Sequence, residues 1–391
     1  MNKKDILFEK YFSLEEIEIT DFYNKEIEEK INNYYNTRIQ TKKNPKPYIF
    51  ENLFEANISL IGRKLNNSRF KINNNLGFNI GMMSLSPHNL AGENNCIMAD
   101  KCKFFCHGHK FNEEKFETSS EKKQIIQKII KSTFLYKKPE LFLRKLCIEI
   151  ANFIKSSYNP VIRLNGYSDI KWESDKYKFS LTKEMIEYLQ SIDNHLFSME
   201  RFYYRDNILS NHNLDKLITK NIVKKELKLN VKYSIMEIFE GVLFYDYTKF
   251  SPNKRNIELI NNQKYIKYKN YHIVYSFSVN IYKKIAEMNK LDDICIIVKK
   301  SIKKTLLEKY VNNNDFNIIN GDEYDNRLLD RLKIKNNRNI GYVILLEGSE
   351  STKLKEKKLF EKDKEIDFYT TAETPEIFEQ IIKYINKNVY K

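Results

Sequence analysis

Short apolar runs alternate with amphipathic stretches along most of this 391-residue chain. From about residue 75 the alternation is regular. β-branched and apolar runs predict seven strands, over Asn79–Ser84, Pro160–Asn165, Gly241–Tyr247, His272–Phe277, Asp293–Val298, Phe316–Asn320 and Ile340–Leu346. Apolar residues at three-to-four spacing predict helices over Glu121–Tyr136, Pro139–Ser156, Asn280–Lys290, Ile302–Val311 and Pro375–Asn386. Pro139 suits a first helical turn, with Glu140 beside it. Strands alternating with helices predict an α/β protein with parallel β-structure. Near-continuous apolar strands repeated in this way fit a (β/α) barrel-like fold, complete or incomplete, with a doubly wound open sheet as the alternative.

Two regions break the rhythm. Residues 1–45 are charged with mixed helical spacing, and the Lys42–Pro47 segment KKNPKP reads as a linker. The expected organisation is an N-terminal helical extension over 1–45 and a barrel-like domain over 46–391. The stretch from about 175 to 230 is longer than a simple crossover. It is rich in aromatic and basic residues and reads as a helical insertion, a lid or an oligomer contact.

In parallel α/β folds the reactive side chains lie just past the carboxyl ends of the strands. After the first strand comes a loop with three of the five cysteines, Cys96, Cys102 and Cys106, spaced C-x5-C-x3-C, followed by His107 and His109. With His88, three of the six histidines lie in this one stretch. Three thiolates can hold a [4Fe–4S] cluster with one iron open. Three thiolates plus His107 or His109 can instead close a zinc site, and three unligated cysteines are the bland alternative. Cys147 and Cys295 lie within apolar runs and read as core.

After the second strand come Arg163, Asn165, Ser168, Asp169, Trp172 and Glu173. After the third come Asp246, Tyr247 and Lys249; after the fourth, Ser276 and Ser278; after the sixth, Asp322, Glu323, Asp325 and Arg327. Asp, Asn and Gly at such positions are usually turn and cap residues. Their repetition at equivalent strand ends predicts one polar mouth. There Asp246, Lys249, Asp169 and Glu173 are candidate catalytic groups, and the others are candidate substrate- or cofactor-binding groups. No Gly-rich phosphate loop, H-E-x-x-H or G-x-S-x-G motif occurs.

The formal net charge is +15. A basic chain favours phosphate-bearing partners, nucleic acid or nucleotides, although lysines spread along solvated helix faces give the same sum. The start, MNKKDILFEKYF, has no apolar signal core, and no run of eighteen apolar residues exists. We therefore expect a cytoplasmic protein with no membrane partner. An odd cysteine count there favours metal ligation or burial over disulfides.

Several stretches taken in order, MSLSP, KSTFLYKKPELF, RLNGYSDIKWE, VLFYDYTK, YHIVYSFS and INGDEYDNRLLD, resemble the phage-associated Gene product 88 family over roughly residues 75–350. The resemblance implies a phage, prophage or plasmid origin and no particular reaction. Three features depart from that family's pattern, one of them an insertion near 175–230 larger than is typical. The gap between the first two cysteines is shorter, and the third cysteine opens Cys-His-Gly-His where the family has Cys-Tyr-Ala. A three-cysteine loop after the first strand is also similar to the layout of radical S-adenosylmethionine enzymes, although their spacing is C-x3-C-x2-C. These readings lead us to expect an iron–sulfur or zinc enzyme acting on a nucleotide or nucleic-acid-related substrate, with S-adenosylmethionine as a further cofactor if the radical-enzyme layout holds. The alternatives are a non-catalytic, zinc-stapled nucleic-acid-binding protein and a phage structural or assembly protein.

Overall fold

The computed structural model describes residues 61–63, 78–87, 91–98, 119–157, 159–197, 221–255, 257–260, 263–266, 268–278, 281, 284–288, 292–310, 317–323, 327, 330, 341–347 and 375–390. The 1–45 extension, the Lys42–Pro47 linker, His88, Cys102, Cys106, His107, His109 and Asp325 lie outside these residues.

In chain order the elements are β1 (Ile61–Arg63), β2 (Asn79–Met83), α1 (Ser119–Lys137), α2 (Pro139–Lys155), β3 (Pro160–Arg163), β4 (Phe179–Ser180), α3 (Lys183–Phe197), β5 (Lys232–Tyr233) and α4 (Ile235–Ile238). They continue with β6 (Leu243–Thr248), β7 (Ile257–Ile260), β8 (Gln263–Ile266), β9 (Tyr271–Ser276), β10 (Asp293–Val298), α5 (Lys300–Tyr310), β11 (Asn317–Asn320), β12 (Tyr342–Glu347) and α6 (Pro375–Ile385). The eight-stranded main sheet has the order β1-β2-β3-β6-β9-β10-β12-β11. Every pair in it is parallel except β1 with β2. The protein is therefore a mixed α/β fold on a mostly parallel sheet, and the seven strands expected from the sequence are its seven parallel strands.

From β2 to β10 each new strand adds to the same edge. With right-handed crossovers, connections that always advance in one direction lie on one face of the sheet. The core follows that rule. Met83, Ile162, Phe244, Ile273, Ile294 and Val343 face one continuous apolar cluster shared with α2, α3, α5 and α6. Alternate residues Val274, Cys295, Tyr342 and Ile344 form a smaller cluster on the other face. The last step runs backwards, because β12 inserts between β10 and β11. On the second face Arg327 packs near Gly321, whose missing Cβ would also meet Ile344 and Leu346.

The helices follow from their apolar spacing. In α2, Phe142, Leu143, Leu146, Cys147, Ile150, Phe153 and Ile154 are buried. Pro139 opens the helix, Glu140 lies in its first turn and Lys155 in its last, as the helix dipole favours. On α6, Phe378, Ile381, Ile382 and Ile385 are buried, each contributing about 1.5–3 kcal/mol of apolar burial. Cys147 and Cys295 are 0 % and 2 % exposed and belong to the core.

Three details differ from expectation. Of the expected 280–290 helix, the described part is a helical Ile281 and a 3-10 turn, Ile285–Glu287. The segment read as an insertion contributes Tyr177, Phe179, Met185, Leu189 and Ile192 at its start and Ile222, Val223 and Tyr233 near and just past its end to the main core; residues 198–220 lie outside the described residues. Short antiparallel pairings, β4 with β5 and β7 with β8, were not expected at all.

Candidate functional site

The residues after β3 fold back under their own strand because Asn165 gathers them. Its Oδ1 accepts from Ser168 Oγ at 2.8 Å, Ile170 N at 3.0 Å and Trp172 Nε1 at 3.0 Å. Its Nδ2 donates to Ile170 O at 2.9 Å and Asp246 Oδ2 at 3.2 Å. Flipping the amide would set an NH2 against three donors, so the network fixes its orientation. Gly166 completes the turn by close approach: its N–H donates to Met83 O at 3.0 Å, and a Cβ there would lie 2.6 Å from that same oxygen.

Asp246 sits midway along β6 in register with Ile273. The strand's alternation puts it with Phe244 and Thr248 on the helix-covered face. It is 0 % exposed. Oδ1 accepts from Asn165 N at 2.6 Å and Oδ2 from Tyr271 Oη at 2.7 Å. Burial pushes its carboxyl up to about 7, against hydrogen bonds from Asn165 and Tyr271 and the pull of Arg163 and Arg255. The same burial holds the Tyr271 phenol well above its ordinary value, reinforced by the neighbouring Asp246 carboxylate.

Arg255 closes the network from the loop after β6. Its Nη2 donates to Glu173 Oε2 at 2.9 Å and to Tyr271 Oη at 3.4 Å. Nε lies 2.8 Å from Glu173 Oε1, but its N–H is not aimed at that oxygen, so this second contact is ionic and not a hydrogen bond. Asp169 Oδ1 accepts from Thr248 Oγ1 at 2.7 Å, and Oδ2 accepts from Lys249 N at 2.8 Å. Burial raises the Asp169 carboxyl, opposed first by Arg255. Three carboxylates thus share one guanidinium, with Glu173 and Arg255 both buried.

The network reaches the start of the cysteine loop. Asp169 N donates to Asn95 O at 2.8 Å, and Cys96 Sγ donates to Tyr167 O at 3.5 Å. Asn95 is itself buried. Its Nδ2 donates to Ser86 O at 2.8 Å and Ser132 Oγ at 2.9 Å, and its Oδ1 accepts from Tyr136 Oη at 2.6 Å. Cys96 is half-buried at the carboxyl ends of β2 and β3, and Ile97 beside it is 68 % exposed. Among the described residues no group of three or more His, Cys, Asp or Glu is placed to hold a metal; Cys102, Cys106, His107 and His109 lie outside them.

The predicted site residues therefore divide. Asn165, Ser168, Asp169, Trp172, Glu173 and Asp246 come together, but inward, as one buried network. Arg163, Tyr247 and Lys249 stand beside it half-buried. Arg163 Cζ is 5.0 Å from the Tyr247 ring centroid and 5.9 Å from that of Tyr245. Ser276 is half-buried on β9, and Ser278 Oγ accepts from Ile281 N at 3.4 Å as a turn cap. Asp322 pairs with Lys303 and accepts from Glu347 N at 2.7 Å, tying β11 to α5 and β12. Glu323 is exposed. Arg327 is buried, donating to Gly321 O at 3.2 Å and pairing with Asp330 at 3.4 Å. Sequence reasoning places Arg255 after the third strand without giving it a role, and it misses Tyr271. The signal for both was present: a lone Arg soon after a strand rich in tyrosines, and a Tyr opening the next strand.

An α/β protein with a mostly parallel sheet, whose β3 loop is locked by a buried charge network to β6 and to the first cysteine, is the class that fold and site define. A model of the Gene product 88 family matches residues 55–342, and the chain belongs to that family. No curated protein and no solved structure matches it. Among the described residues no helix is long and apolar enough to cross a membrane.

Proposed function

We propose that this protein is a metal-dependent enzyme acting on a nucleotide or nucleic-acid-related substrate at the carboxyl ends of its parallel strands. Cys96, Cys102 and Cys106 would hold the metal group. The observation that carries the reading is the position of Cys96, half-buried against the Tyr167 carbonyl where β2 and β3 end. A half-buried thiol on a braced backbone fits a metal ligand, since ordering one donor beforehand lowers the entropy lost on binding. A [4Fe–4S] cluster on three thiolates would supply redox chemistry with one iron open to a cofactor such as S-adenosylmethionine; zinc would use His107 or His109 as a fourth ligand.

In this reading Arg163, Tyr247 and Lys249 meet the substrate, the two cations suiting its phosphates. Asp246, Asp169 and Glu173, the carboxylates expected from the sequence to be catalytic, act instead as positioning residues, because both oxygens of each are engaged within the buried network. Singly wound progression from β2 to β10 favours a barrel-like closure of the sheet over a doubly wound one. A phage-encoded protein working in the host cytoplasm is consistent with the family and the charge.

The test is anaerobic purification with an absorbance spectrum and elemental analysis, on the native chain and on a Cys96→Ala/Cys102→Ala/Cys106→Ala variant. Brown protein with iron and sulfide, lost in the variant, is the expected result. Burial of the three carboxylates favours one alternative, a zinc-stapled nucleic-acid-binding protein without catalysis. Stoichiometric zinc in colourless protein would select it, and metal-free protein would overturn both.

A further inference from the structure

Around the same strand ends, lysines sit over aromatic rings. Lys128 Nζ is 3.9 Å from the Tyr167 ring centroid, Lys171 Nζ is 5.5 Å from that of Phe250, and Lys176 Nζ is 5.7 Å from that of Tyr136. All three pairs belong to one rim. Lys128 on α1 is placed by its carbonyl, which accepts from Ser86 N beyond the end of β2. Tyr167 and Lys171 lie in the loop after β3, where Lys171 Nζ also donates to Lys254 O at 3.1 Å beyond β6. Tyr136 is fixed by its bond to Asn95 Oδ1 at 2.6 Å. Lys176 and Lys254 are exposed, and Lys128, Tyr136, Tyr167 and Lys171 are half-buried. Among the described residues, Glu93 and Asp175 are the exposed acids near Tyr136 and Lys178, fewer than the rim's lysines.

We propose that this lysine–aromatic rim, Lys128, Tyr136, Tyr167, Lys171 and Lys176, binds single-stranded nucleic acid. The proposal rests on the nucleic-acid side of the function proposed above and is independent of the metal. Lysines alone would suit any polyanion. Their interleaving with partly exposed rings is what unpaired strands use, because phosphates meet ammonium groups while bases stack on ring faces. A duplex keeps its base faces stacked inside, so it could use the lysines and not the rings. Two of these rings are anchored from behind, Tyr136 by Asn95 and Tyr167 by the Asn165-ordered loop, so less side-chain freedom is lost on stacking.

The test is fluorescence anisotropy of the full chain with a labelled oligothymidylate and with a duplex of equal length, at about 50 and 200 mM salt. Variants are Lys128→Ala/Lys171→Ala/Lys176→Ala, Tyr167→Ala and Tyr167→Phe, with Lys304→Ala/Lys383→Ala on the helix layer as a control. Thermal melts of each establish folding. The expected result is tighter binding of the single strand and a log–log salt slope about 2 smaller in the triple lysine variant. Tyr167→Ala should bind ~10-fold more weakly at unchanged slope, and Tyr167→Phe should bind as the native chain does. Equal affinity for duplex, or insensitivity to Tyr167, would overturn single-strand recognition and leave a polyanion patch. No binding, or loss equal to that of the control, would overturn the rim. Metal content measured on the same preparations separates the two proposals, since a loaded protein that ignores the oligonucleotide fails only this one.

Discussion

Asp246 makes stability depend on pH in a direction opposite to that of a salt-bridged carboxylate. Its folded-state value is pushed up to about 7 from an ordinary 3.8. Between those values the folded protein holds a proton that the unfolded chain has released, so stability falls as pH rises through the window. The full shift, about 3 pKa units, is on the order of 4 kcal/mol, of which more than half falls between pH 5 and 8. The physical origin is loss of solvent: Asp246 is 0 % exposed, and the hydrogen bonds from Asn165 and Tyr271 with the pull of Arg163 and Arg255 only partly offset its desolvation. Asp246→Asn removes the titration while its Oδ1 still accepts from Asn165 N. Urea denaturation of both proteins at about pH 5 and pH 8 reads the effect directly. The native chain should lose roughly 2–3 kcal/mol more than Asp246→Asn over that interval. Parallel pH profiles would show that Asp246 ionises alike in folded and unfolded chains, and the enclosed network would then be the wrong description of this carboxylate.

Other perturbations probe the same assembly. Asn165→Ala removes the hub of five hydrogen bonds and should cost roughly 2–4 kcal/mol in urea denaturation; a loss within measurement error would mean that the loop holds its shape without it. Gly166→Ala puts a Cβ 2.6 Å from the Met83 carbonyl oxygen, so the β2 end must shift; we expect about 1–3 kcal/mol of destabilisation and a lower melting temperature. Arg255→Met strands Glu173 and should cost about 3–5 kcal/mol. Adding Glu173→Met should recover much of that loss, and non-recovery in the double variant would assign the cost to packing.

The strand pattern was plain in the sequence because parallel strands buried on both faces are continuous apolar runs. Asp293–Val298 matches its run residue for residue. What was not legible has physical reasons. The three-residue β1 and the two-residue β4 and β5 are too short to carry a period. The antiparallel β7 and β8 are four residues each, too short to stand out from the helical and loop pattern around them. That β12 enters the sheet before β11 is a matter of long-range pairing, which local pattern does not encode. At the site, position after a strand located the right residues but not their direction. At the end of its expected apolar run Asp246 reads as mouth-facing, yet it sits midway along β6, and two-residue alternation with Phe244 and Thr248 places it on the helix side.

That inward direction changes what two polar stretches of the sequence mean. RLNGYSDIKWE and FYDYTK read as catalytic strings because they are dense in polar residues. In the structure their polar atoms are spent mostly on one another, and the purpose they serve is visible only at the edge of the network. There Asp169 holds the Asn95 backbone and the ordered loop presents the Tyr167 carbonyl to Cys96. Burying three carboxylates and a guanidinium is a poor way to stabilise a fold, since apolar residues of similar volume would often do as well or better. It is a good way to impose one geometry, because each member has a single satisfying arrangement. The network is therefore best understood as the support that fixes the loop after β3 against β6 and against Asn95 and Cys96.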